Sequence, residues 1–360
     1  MDEIVFRLCE LKASSYHVVT DRTVAQLHAS TLFDQLAAEA PARLWVVESG
    51  ESAKSMSTLA GLAHEMVGAG IDRSSAIVAV GGGVVGNLAG LTAALLFRGT
   101  RLVHVPTTLI AAADSVASLK QAVNLPCGKN LLGCFHLPTK VLIDLGFLRT
   151  LPTAQIRSGM CEIIKNALTV APENIPILES GLNPHARYSD EQLTAIVEAG
   201  LRAKQKVMIG DKRERKQALV FEYGHTVGHA VELAANGCIP HGEAVGLGMI
   251  VAAEVAGRLG MLCEADREVH HRLLTRNGLA CRLPEGVTVA AVMKLLRTDN
   301  KRGYVPSRAG EVAMILLEGL GAPHGQIDRP LTLVESSLIQ ACIEATLSGV
   351  VDVAIEEARV

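Results

Sequence analysis

Short apolar runs alternate with longer amphipathic stretches through the N-terminal part of the chain. Runs rich in Val, Ile and Leu occupy residues 42–48, 75–80 and 101–105. Segments with helical spacing, at 52–69 and 84–96, separate them. Apolar strands that alternate with helices are typical of a parallel sheet with helices on both faces. The pattern therefore predicts an α/β fold that starts with a Rossmann-like parallel-sheet domain.

The pattern changes at Pro152, a residue suited to the first turn of a helix. Long segments with helical spacing follow from there: 153–170, 190–209, 224–235 and 243–259. We expect an α/β domain over residues 1–151 and a mostly α-helical domain over residues 152–360. Between two of the helical segments, the charged run 211–216 reads as a solvent-exposed loop.

Composition and charge narrow the class of protein. A net charge of −3 with scattered Lys and Arg provides no basic surface for a nucleic acid backbone. No apolar run approaches the ~18 residues that cross a bilayer, and the acidic start lacks the basic region of a signal peptide, so we expect a cytoplasmic protein. The eight cysteines form no C-x-x-C pair, which favours reduced thiols.

A glycine-rich motif follows the apolar run that ends at residue 80. Gly81, Gly83 and Gly86 form G-x-G-x-x-G directly before a helical segment, a context in which backbone N–H groups bind a pyrophosphate. A glycine turn with a purely structural purpose is the alternative, because the acidic residue expected about 20 positions later is missing. A bound nucleotide would then need other partners for its ribose. The candidates are Asp21, Glu51 and Lys54.

Histidines and a carboxylate suggest a metal site. His225 and His229 lie four residues apart on one predicted helix face. Glu162 precedes them in the helical segment 153–170, and His241 follows them, just before the segment 243–259. Glu162, His241 and one of the two helix histidines would supply three ligands and leave a position open for substrate. Histidines satisfied by hydrogen bonds inside a core are the alternative.

Several lysines lie within otherwise apolar segments. Lys165 follows Glu162 by three positions, Lys204 lies on the next helical segment, and Lys120 and Lys129 flank a glycine. Cations of this kind suit an anionic, hydroxyl-rich substrate, and together they indicate a phosphate. Each one alone could equally be a surface lysine.

These motifs resemble, in order and spacing, those of the sugar-phosphate cyclases of the dehydroquinate synthase family. The shared stretches are GGGVVGNLAG, FRGTRLVHVPTTLIAAADS, KQAVN, GKNLLG, CEIIKNAL, EYGHTVGHA and HGEAVGLGM. The resemblance runs from about residue 15 to about residue 320. It implies an enzyme that uses NAD and one divalent metal ion, Co²⁺ or Zn²⁺.

The resemblance also implies a role for each matching position. The metal ligands are Glu162, His225 and His241, and His229 is a substrate or acid–base residue. Catalytic positions include His229 together with Lys120, Lys165, Lys204 and Glu222. Substrate and phosphate contacts come from Arg98, Asn130 and Lys301. The positions around NAD are Asp21, Glu51, Lys54, Gly81, Gly82, Gly83, Thr107, Thr108, Asp114 and Lys129. Because Arg98 matches an arginine that reaches the phosphate in the neighbouring subunit, a homodimer is implied.

Departures from the dehydroquinate synthase pattern indicate the substrate. Dehydroquinate synthases carry an arginine and an asparagine where this chain has Ala218 and Glu222, and an aspartate where it has Asn87. A carboxylate at position 222 would repel a substrate carboxylate. These differences resemble the 2-deoxy-scyllo-inosose synthase group, which implies conversion of D-glucose 6-phosphate to 2-deoxy-scyllo-inosose and phosphate in aminoglycoside biosynthesis.

Other functions are also compatible with these residues. A cyclase that acts on sedoheptulose 7-phosphate or on the dehydroquinate precursor would keep the architecture and change the substrate. A metal-dependent polyol dehydrogenase would release NADH stoichiometrically, and a catalytically silent sugar-phosphate-binding protein would release nothing.

Overall fold

The computed structural model describes residues 1–126, 128–296, 304–306 and 308–348. The chain divides into two compact units, the first made of Met1–Gly159 and Asp190–Leu201 and the second of the remaining residues. Two of the three boundaries fall inside helices, because Thr153–Val170 and Asp190–Met208 each contribute residues to both units, and the third lies directly before Asp190.

A parallel sheet forms the centre of the first unit. Its described residues contain the strands β1 (Tyr16–Asp21), β2 (Ala42–Val47), β3 (Ala76–Gly81), β4 (Arg101–Pro106), β5 (Lys120–Leu125), β6 (Gly128–Phe135) and β7 (Lys140–Val141). Five of them pair in parallel in the order β2-β1-β3-β4-β7, while β5 and β6 form an antiparallel hairpin. All of β3 is buried, as expected of a central strand covered on both faces. The predicted parallel sheet is confirmed.

Helices cover this sheet on both sides. The helices that begin within residues 1–159 are α1 (Asp2–Cys9), α2 (Arg22–Val24), α3 (Ser30–Glu39), α4 (Met56–Gly68), α5 (Gly83–Leu95), α6 (Leu109–Ala113) and α7 (Thr153–Val170). One apolar cluster contains Leu32 and Val78, and the other contains Leu88 and Ile77. Because Ile77 and Val78 are neighbours in β3, their side chains point to opposite faces of the sheet.

The helix expected from residue 52 begins later. Residues Glu51–Ala53 form a short 3₁₀ turn, and α4 starts at Met56. Its N-cap is Ser55, whose hydroxyl accepts a hydrogen bond from the backbone N–H of Thr58 at 3.2 Å. This cap satisfies a backbone donor that otherwise has no partner in the first turn of a helix.

The second unit is mostly helical, as predicted. Besides the ends of α7 and of α9 (Asp190–Met208), its helices are α8 (Ile175–Gly181), α10 (His225–Ala234), α11 (His241–Arg258), α12 (Glu264–Arg276), α13 (Val289–Leu296) and α14 (Ser336–Leu347). Two small antiparallel pairs join β8 (Glu311–Met314) to β11 (Thr332–Glu335) and β9 (Leu317–Gly319) to β10 (Ala322–Pro323). Within the described residues, no helix combines the length and the apolar character that crossing a bilayer requires.

Glycines allow α10 and α11 to pack very closely. A Cβ atom on Gly248 of α11 would lie 1.9 Å from the carbonyl oxygen of Gly224, and one on Gly228 would lie 2.8 Å from Cα of Val245. Gly224 also has a φ of 77°, a left-handed conformation that favours glycine directly before α10. The contact holds the two helices at backbone-to-backbone distance.

The loop at 211–216 differs from the expectation. Its four basic residues are exposed, but the acidic Asp211 and Glu214 are buried, at 7% and 6% exposure. The carboxylate of Asp211 accepts hydrogen bonds from the backbone N–H groups of Arg215, Lys216 and Ala218 at 3.1, 2.6 and 3.1 Å. The loop and the exposure of its basic residues are therefore confirmed, whereas the expected exposure is wrong for Asp211 and Glu214. The short carboxylate of Asp211 is buried because it binds the backbone of its own turn.

The glycine contact predicts a position-dependent effect on stability. Gly248→Ala should lower the free energy of unfolding by about 1–3 kcal/mol, because the added methyl group meets backbone atoms that cannot move aside easily. The matched control is Gly61→Ala within α4, where a Cβ would meet nothing within 4 Å. That control should be neutral or more stable by about 0.5–1 kcal/mol, because alanine favours helix. Urea denaturation of both variants tests this, and equal midpoints would contradict the close contact.

Candidate active site

Three histidines come together where α10 and α11 begin. His225 is the first residue of α10, His229 lies one turn later, and His241 is the first residue of α11. Their ring centroids are 5.1 to 5.7 Å apart. One ring nitrogen from each lies within 4.8 Å of the others, a spacing compatible with binding one metal ion.

A buried carboxylate from α7 faces two of these rings. Oε1 of Glu162 lies 3.8 Å from Nε2 of His225 and 3.8 Å from Nε2 of His241. Glu162 is 3% exposed, and its Oε1 has no hydrogen-bond partner among the described residues. A buried oxygen of this kind requires a partner, and a divalent cation between carboxylate and imidazoles would provide one. The donor set fits zinc and cobalt equally.

The other ring nitrogens of two histidines are held by oxygen atoms. Nδ1 of His225 donates to the carbonyl of Tyr223 at 3.1 Å, and Nδ1 of His241 donates to Oε2 of Glu232 at 3.0 Å. In the neutral ring a proton on Nδ1 leaves the lone pair of Nε2 directed toward Glu162. This arrangement is typical of histidines that bind metal ions.

The charges of the cluster favour an ionised carboxylate beside a neutral imidazole. Burial opposes ionisation of Glu162, but contact with the Lys165 ammonium and the charge of His241 hold its pKa below the ordinary value. Burial and the charge of Lys165 hold the pKa of His225 well below its usual range. For His241 burial acts in the same direction, but the hydrogen bond to Glu232 and the charge of Glu162 raise its pKa. Its Nε2 is therefore a strong base, for which a proton and a metal ion would compete.

Two buried lysines flank an aromatic ring next to this cluster. Lys165 and Lys204 are 2% and 4% exposed. Their Nζ atoms lie 6.0 and 4.6 Å from the centroid of the Phe221 ring, within the range of a cation–π interaction. Glu222 follows Phe221, and its negative charge acts to raise the pKa of His225. The surface-lysine alternative is therefore excluded for Lys165 and Lys204.

The carbonyl that holds His225 belongs to a fully buried residue. Tyr223 is 0% exposed, and its hydroxyl donates to Nε2 of His270 at 2.9 Å. Nδ1 of His270 in turn donates to the carbonyl of Asp266 at 2.7 Å. A chain of hydrogen bonds thus connects α12 to the histidine cluster.

The glycine motif lines a cleft in the first unit. Gly81 ends β3, Gly82 is the N-cap of α5, and Gly83 is its first residue. A Cβ on Gly82 would lie 2.9 Å from Cγ2 of Thr108, so a larger residue would fill the turn. The nearest atom to a Cβ on Gly83 is 3.9 Å away. The open turn at the N-terminus of α5 fits the pyrophosphate of a dinucleotide such as NAD.

Asn87 shapes the same cleft. Its amide nitrogen donates to the carbonyl of Gly83 at 2.8 Å, and its amide oxygen accepts from the N–H of Ala122 at 2.9 Å. An ionised aspartate could accept the second hydrogen bond but could not donate the first. Asn87 therefore ties the first turn of α5 to β5. Lys120 also lines this cleft, together with His104, whose pKa burial lowers to about 4.

A second polar group lies where the β5–β6 hairpin meets the segment before α4. Lys54 is 6% exposed, its pKa is lowered by burial, and its ammonium contacts the amide oxygen of Asn130. Asn124 donates from its side chain to Glu51 at 2.7 Å and accepts from the N–H of Asn130 at 2.8 Å. The charge of Lys129 also acts to lower the pKa of Lys54. The structure thus brings together four residues that the sequence assigned to NAD or substrate.

The remaining NAD candidates lie at element ends. Asp21 ends β1, and its carboxylate accepts from the N–H groups of Thr23 and Val24. Thr108 is the N-cap of α6, and Asp114 is its C-cap. Thr107 is 3% exposed, and its hydroxyl has no hydrogen-bond partner within the described ranges. Capping accounts for Asp21 and Thr108 structurally, whereas no described residue accounts for the Thr107 hydroxyl.

Of the two phosphate candidates outside these groups, one can be placed. Arg98 is exposed and follows Phe97 in a turn where both residues have positive φ, 67° and 53°. Two consecutive non-glycine residues in this region are strained, so the packing around them holds the turn. Lys301 lies outside the described residues.

Sequence reasoning missed two residues of the histidine cluster. Glu232 follows His225 by seven positions and His229 by three, which places all three on one face of α10, so helical spacing could have identified it. Phe221 stands next to Glu222, but only the fold shows that two lysines flank its ring.

Comparisons with known proteins agree with these features. The N-terminal family model of 3-dehydroquinate synthase matches residues 44–158, and the C-terminal model matches residues 159–302. The 2-deoxy-scyllo-inosose synthase of Streptomyces kanamyceticus is 48% identical over 96% of this chain and 88% of that protein.

Solved structures show the same likeness. A 2-deoxy-scyllo-inosose synthase complexed with carbaglucose-6-phosphate, NAD⁺ and Co²⁺ superposes with a TM-score of 0.89, at 40% identity over 93% of this chain and 91% of that one. ValA, a 2-epi-5-epi-valiolone synthase from Streptomyces hygroscopicus with NAD⁺ and Zn²⁺ bound, has a TM-score of 0.80 at 28% identity, with coverage of 93% and 91%. The chain belongs to the 3-dehydroquinate synthase family of sugar-phosphate cyclases, within its 2-deoxy-scyllo-inosose synthase group.

Proposed function

We propose that this protein converts D-glucose 6-phosphate into 2-deoxy-scyllo-inosose and inorganic phosphate, as a carbon–oxygen lyase of aminoglycoside antibiotic biosynthesis. The observation that carries the proposal is the buried cluster of Glu162, His225 and His241 in a chain 48% identical to a synthase of that name. Buried Ala218 and the acidic Glu222 support a substrate without a carboxylate, because neither side chain offers it a cation.

The reaction requires temporary oxidation of C4 of the sugar to a ketone. The proton at C5 is not acidic in glucose 6-phosphate, so phosphate does not leave C6 readily. A ketone at C4 makes that proton acidic, and a phosphate oxygen of the substrate itself is placed to accept it as the C6–O bond breaks. Reduction at C4, opening of the pyranose ring and an intramolecular aldol addition complete the carbocycle. The two products together contain all atoms of the substrate, so no co-reactant is consumed.

Two bound groups supply chemistry that side chains lack. Gly81, Gly82 and Gly83 would hold NAD⁺ at the glycine turn, and this cofactor would supply reversible hydride transfer at C4. Glu162, His225 and His241 would hold a Co²⁺ or Zn²⁺ ion, which would supply Lewis-acid chemistry toward the substrate oxygens. We also assign to the NAD site Asp21, Glu51, Lys54, Thr107, Thr108, Asp114 and Lys129.

The side chains around the histidine cluster carry the proton transfers at O4 and during ring opening. Lys165 and Lys204 are buried cations that hold developing oxyanions, and both ammonium groups lie within cation–π distance of the Phe221 ring. His229 and Glu222 complete the set of groups that hold or release a proton. Glu222 also accepts hydrogen bonds from sugar hydroxyls in this proposal.

The phosphate group requires its own cationic contacts. We assign these to Lys120, Asn130 and Lys301, together with Arg98 of the partner subunit in a homodimer. The exposure of Arg98 on its strained turn supports a role outside its own subunit. We further propose that the enzyme works in the cytoplasm, which is supported by the seven described cysteines, all of them free thiols.

The proposed reaction predicts release of phosphate without net reduction of NAD⁺. Purified protein incubated with glucose 6-phosphate, NAD⁺ and Co²⁺ or Zn²⁺ should form phosphate and a six-carbon cyclic ketone. A phosphate assay measures the phosphate, absorbance measures NADH, and mass spectrometry identifies the ketone. Accumulation of NADH would instead indicate a polyol dehydrogenase. Turnover of sedoheptulose 7-phosphate in its place would show that the substrate inferred from Ala218 and Glu222 is wrong.

The metal ligands predict a joint loss of metal and activity. Glu162→Ala and His241→Ala should each abolish turnover and reduce bound metal below one ion per chain, because one ligand of three is removed. Elemental analysis of the purified variants measures the metal directly. His64→Ala, at an exposed histidine of α4, is the control and should keep both properties. Normal metal content in the first two variants would refute the ligand assignment.

We expect substitution of Glu222 to lower turnover with little effect on folding. Glu222→Gln removes a negative charge that faces His225 but keeps the side-chain shape, so we expect kcat to fall about 10-fold or more while the melting temperature changes little. The control is Glu285→Gln, at an exposed glutamate. Unchanged kinetics in Glu222→Gln would remove Glu222 from the active site.

A further inference from the structure

We infer that Glu232 is a positioning residue that fixes His241 in the orientation and tautomer that bind the metal ion. The inference deepens the proposed function, since it rests on the metal centre of that proposal. Oε2 of Glu232 lies 3.0 Å from Nδ1 of His241, and Oε1 of Glu162 lies 3.8 Å from Nε2 of the same ring. The imidazole of His241 is thus placed between two carboxylates, one at each ring nitrogen. In this inference Glu232 orients the ring, whereas Glu162 binds the metal ion together with it.

The need for such a partner follows from the exposure of His241. The side chain of His225 is 10% exposed and is held by a backbone carbonyl, whereas that of His241 is 35% exposed. A half-exposed ring on the first residue of a helix keeps rotamer freedom unless a neighbour restrains it. Glu232, with a side chain only 13% exposed, supplies that restraint.

The position of Glu232 explains how α10 both carries His225 and orients His241. Glu232 lies on the same face of α10 as His225 and His229, and the close contact with α11 brings His241 within its reach. The orientation of His241 is therefore set from α10 rather than from its own helix. Loss of such a partner of a histidine ligand typically weakens metal binding by about 10–100-fold.

Metal titration of the protein without substrate or NAD tests the inference. Wild type, Glu232→Gln and Glu232→Ala are stripped with a chelator and titrated with Co²⁺, whose visible absorption reports the geometry of its ligands. We expect Kd to rise about 10–100-fold in Glu232→Ala, with altered absorption bands, and less in Glu232→Gln, whose amide oxygen can still accept from Nδ1. The control is Glu318→Gln, an exposed carboxylate 3.7 Å from His324, and it should bind Co²⁺ like wild type.

The outcomes separate this inference from the proposed reaction. Unchanged Kd and unchanged absorption in both Glu232 variants would overturn the positioning role, as would a wild-type protein that binds no Co²⁺. If Glu232→Ala does not fold, the shape-conserving Glu232→Gln decides the question alone. Weakened Co²⁺ binding in the variants supports the inference even if glucose 6-phosphate is not the substrate.

Discussion

The backbone contact between α10 and α11 is the constraint on which the histidine cluster depends. Gly248 packs against the carbonyl of Gly224 at a distance that no side chain could share. Because His225 and His241 are the first residues of the two helices, the same contact brings both rings to one end of the helix pair. Small residues inside the helices thus determine where the imidazole nitrogens meet.

Around this end the protein keeps a group of charges out of water. Burial of Glu162, Lys165 and Lys204 is unfavourable unless each charge has a partner, and the partners are one another, the imidazoles and the ring of Phe221. Such a group contributes little to stability compared with an apolar core of equal volume. Its value lies in preorganisation, since charges held in fixed positions need not rearrange when a substrate develops charge.

Those parts of the fold that depend on short, repeating sequence patterns could be predicted from the sequence. Alternation of apolar runs with helical segments predicts the parallel sheet, and the four-residue spacing of His225 and His229 predicts a shared helix face. The approach of Glu162 to these histidines is a contact between distant segments, so the residue types offered it only as one of two alternatives, and the family resemblance selected it. The buried carboxylate of Asp211 was missed because a run of charges normally predicts solvent, whereas backbone donors of the turn bind this one.

Tyr223 joins the histidine cluster to a part of the fold that no substrate would touch. Its carbonyl holds His225, and its hydroxyl is bonded to His270 on α12. A mutational scan scored by catalysis should therefore find sensitive positions on α12, and their sensitivity would reflect support of a ligand's backbone rather than recognition of a sugar. An engineer who altered specificity would treat His270 as part of the scaffold to be preserved, while the surface residues of the same helix remain open to change.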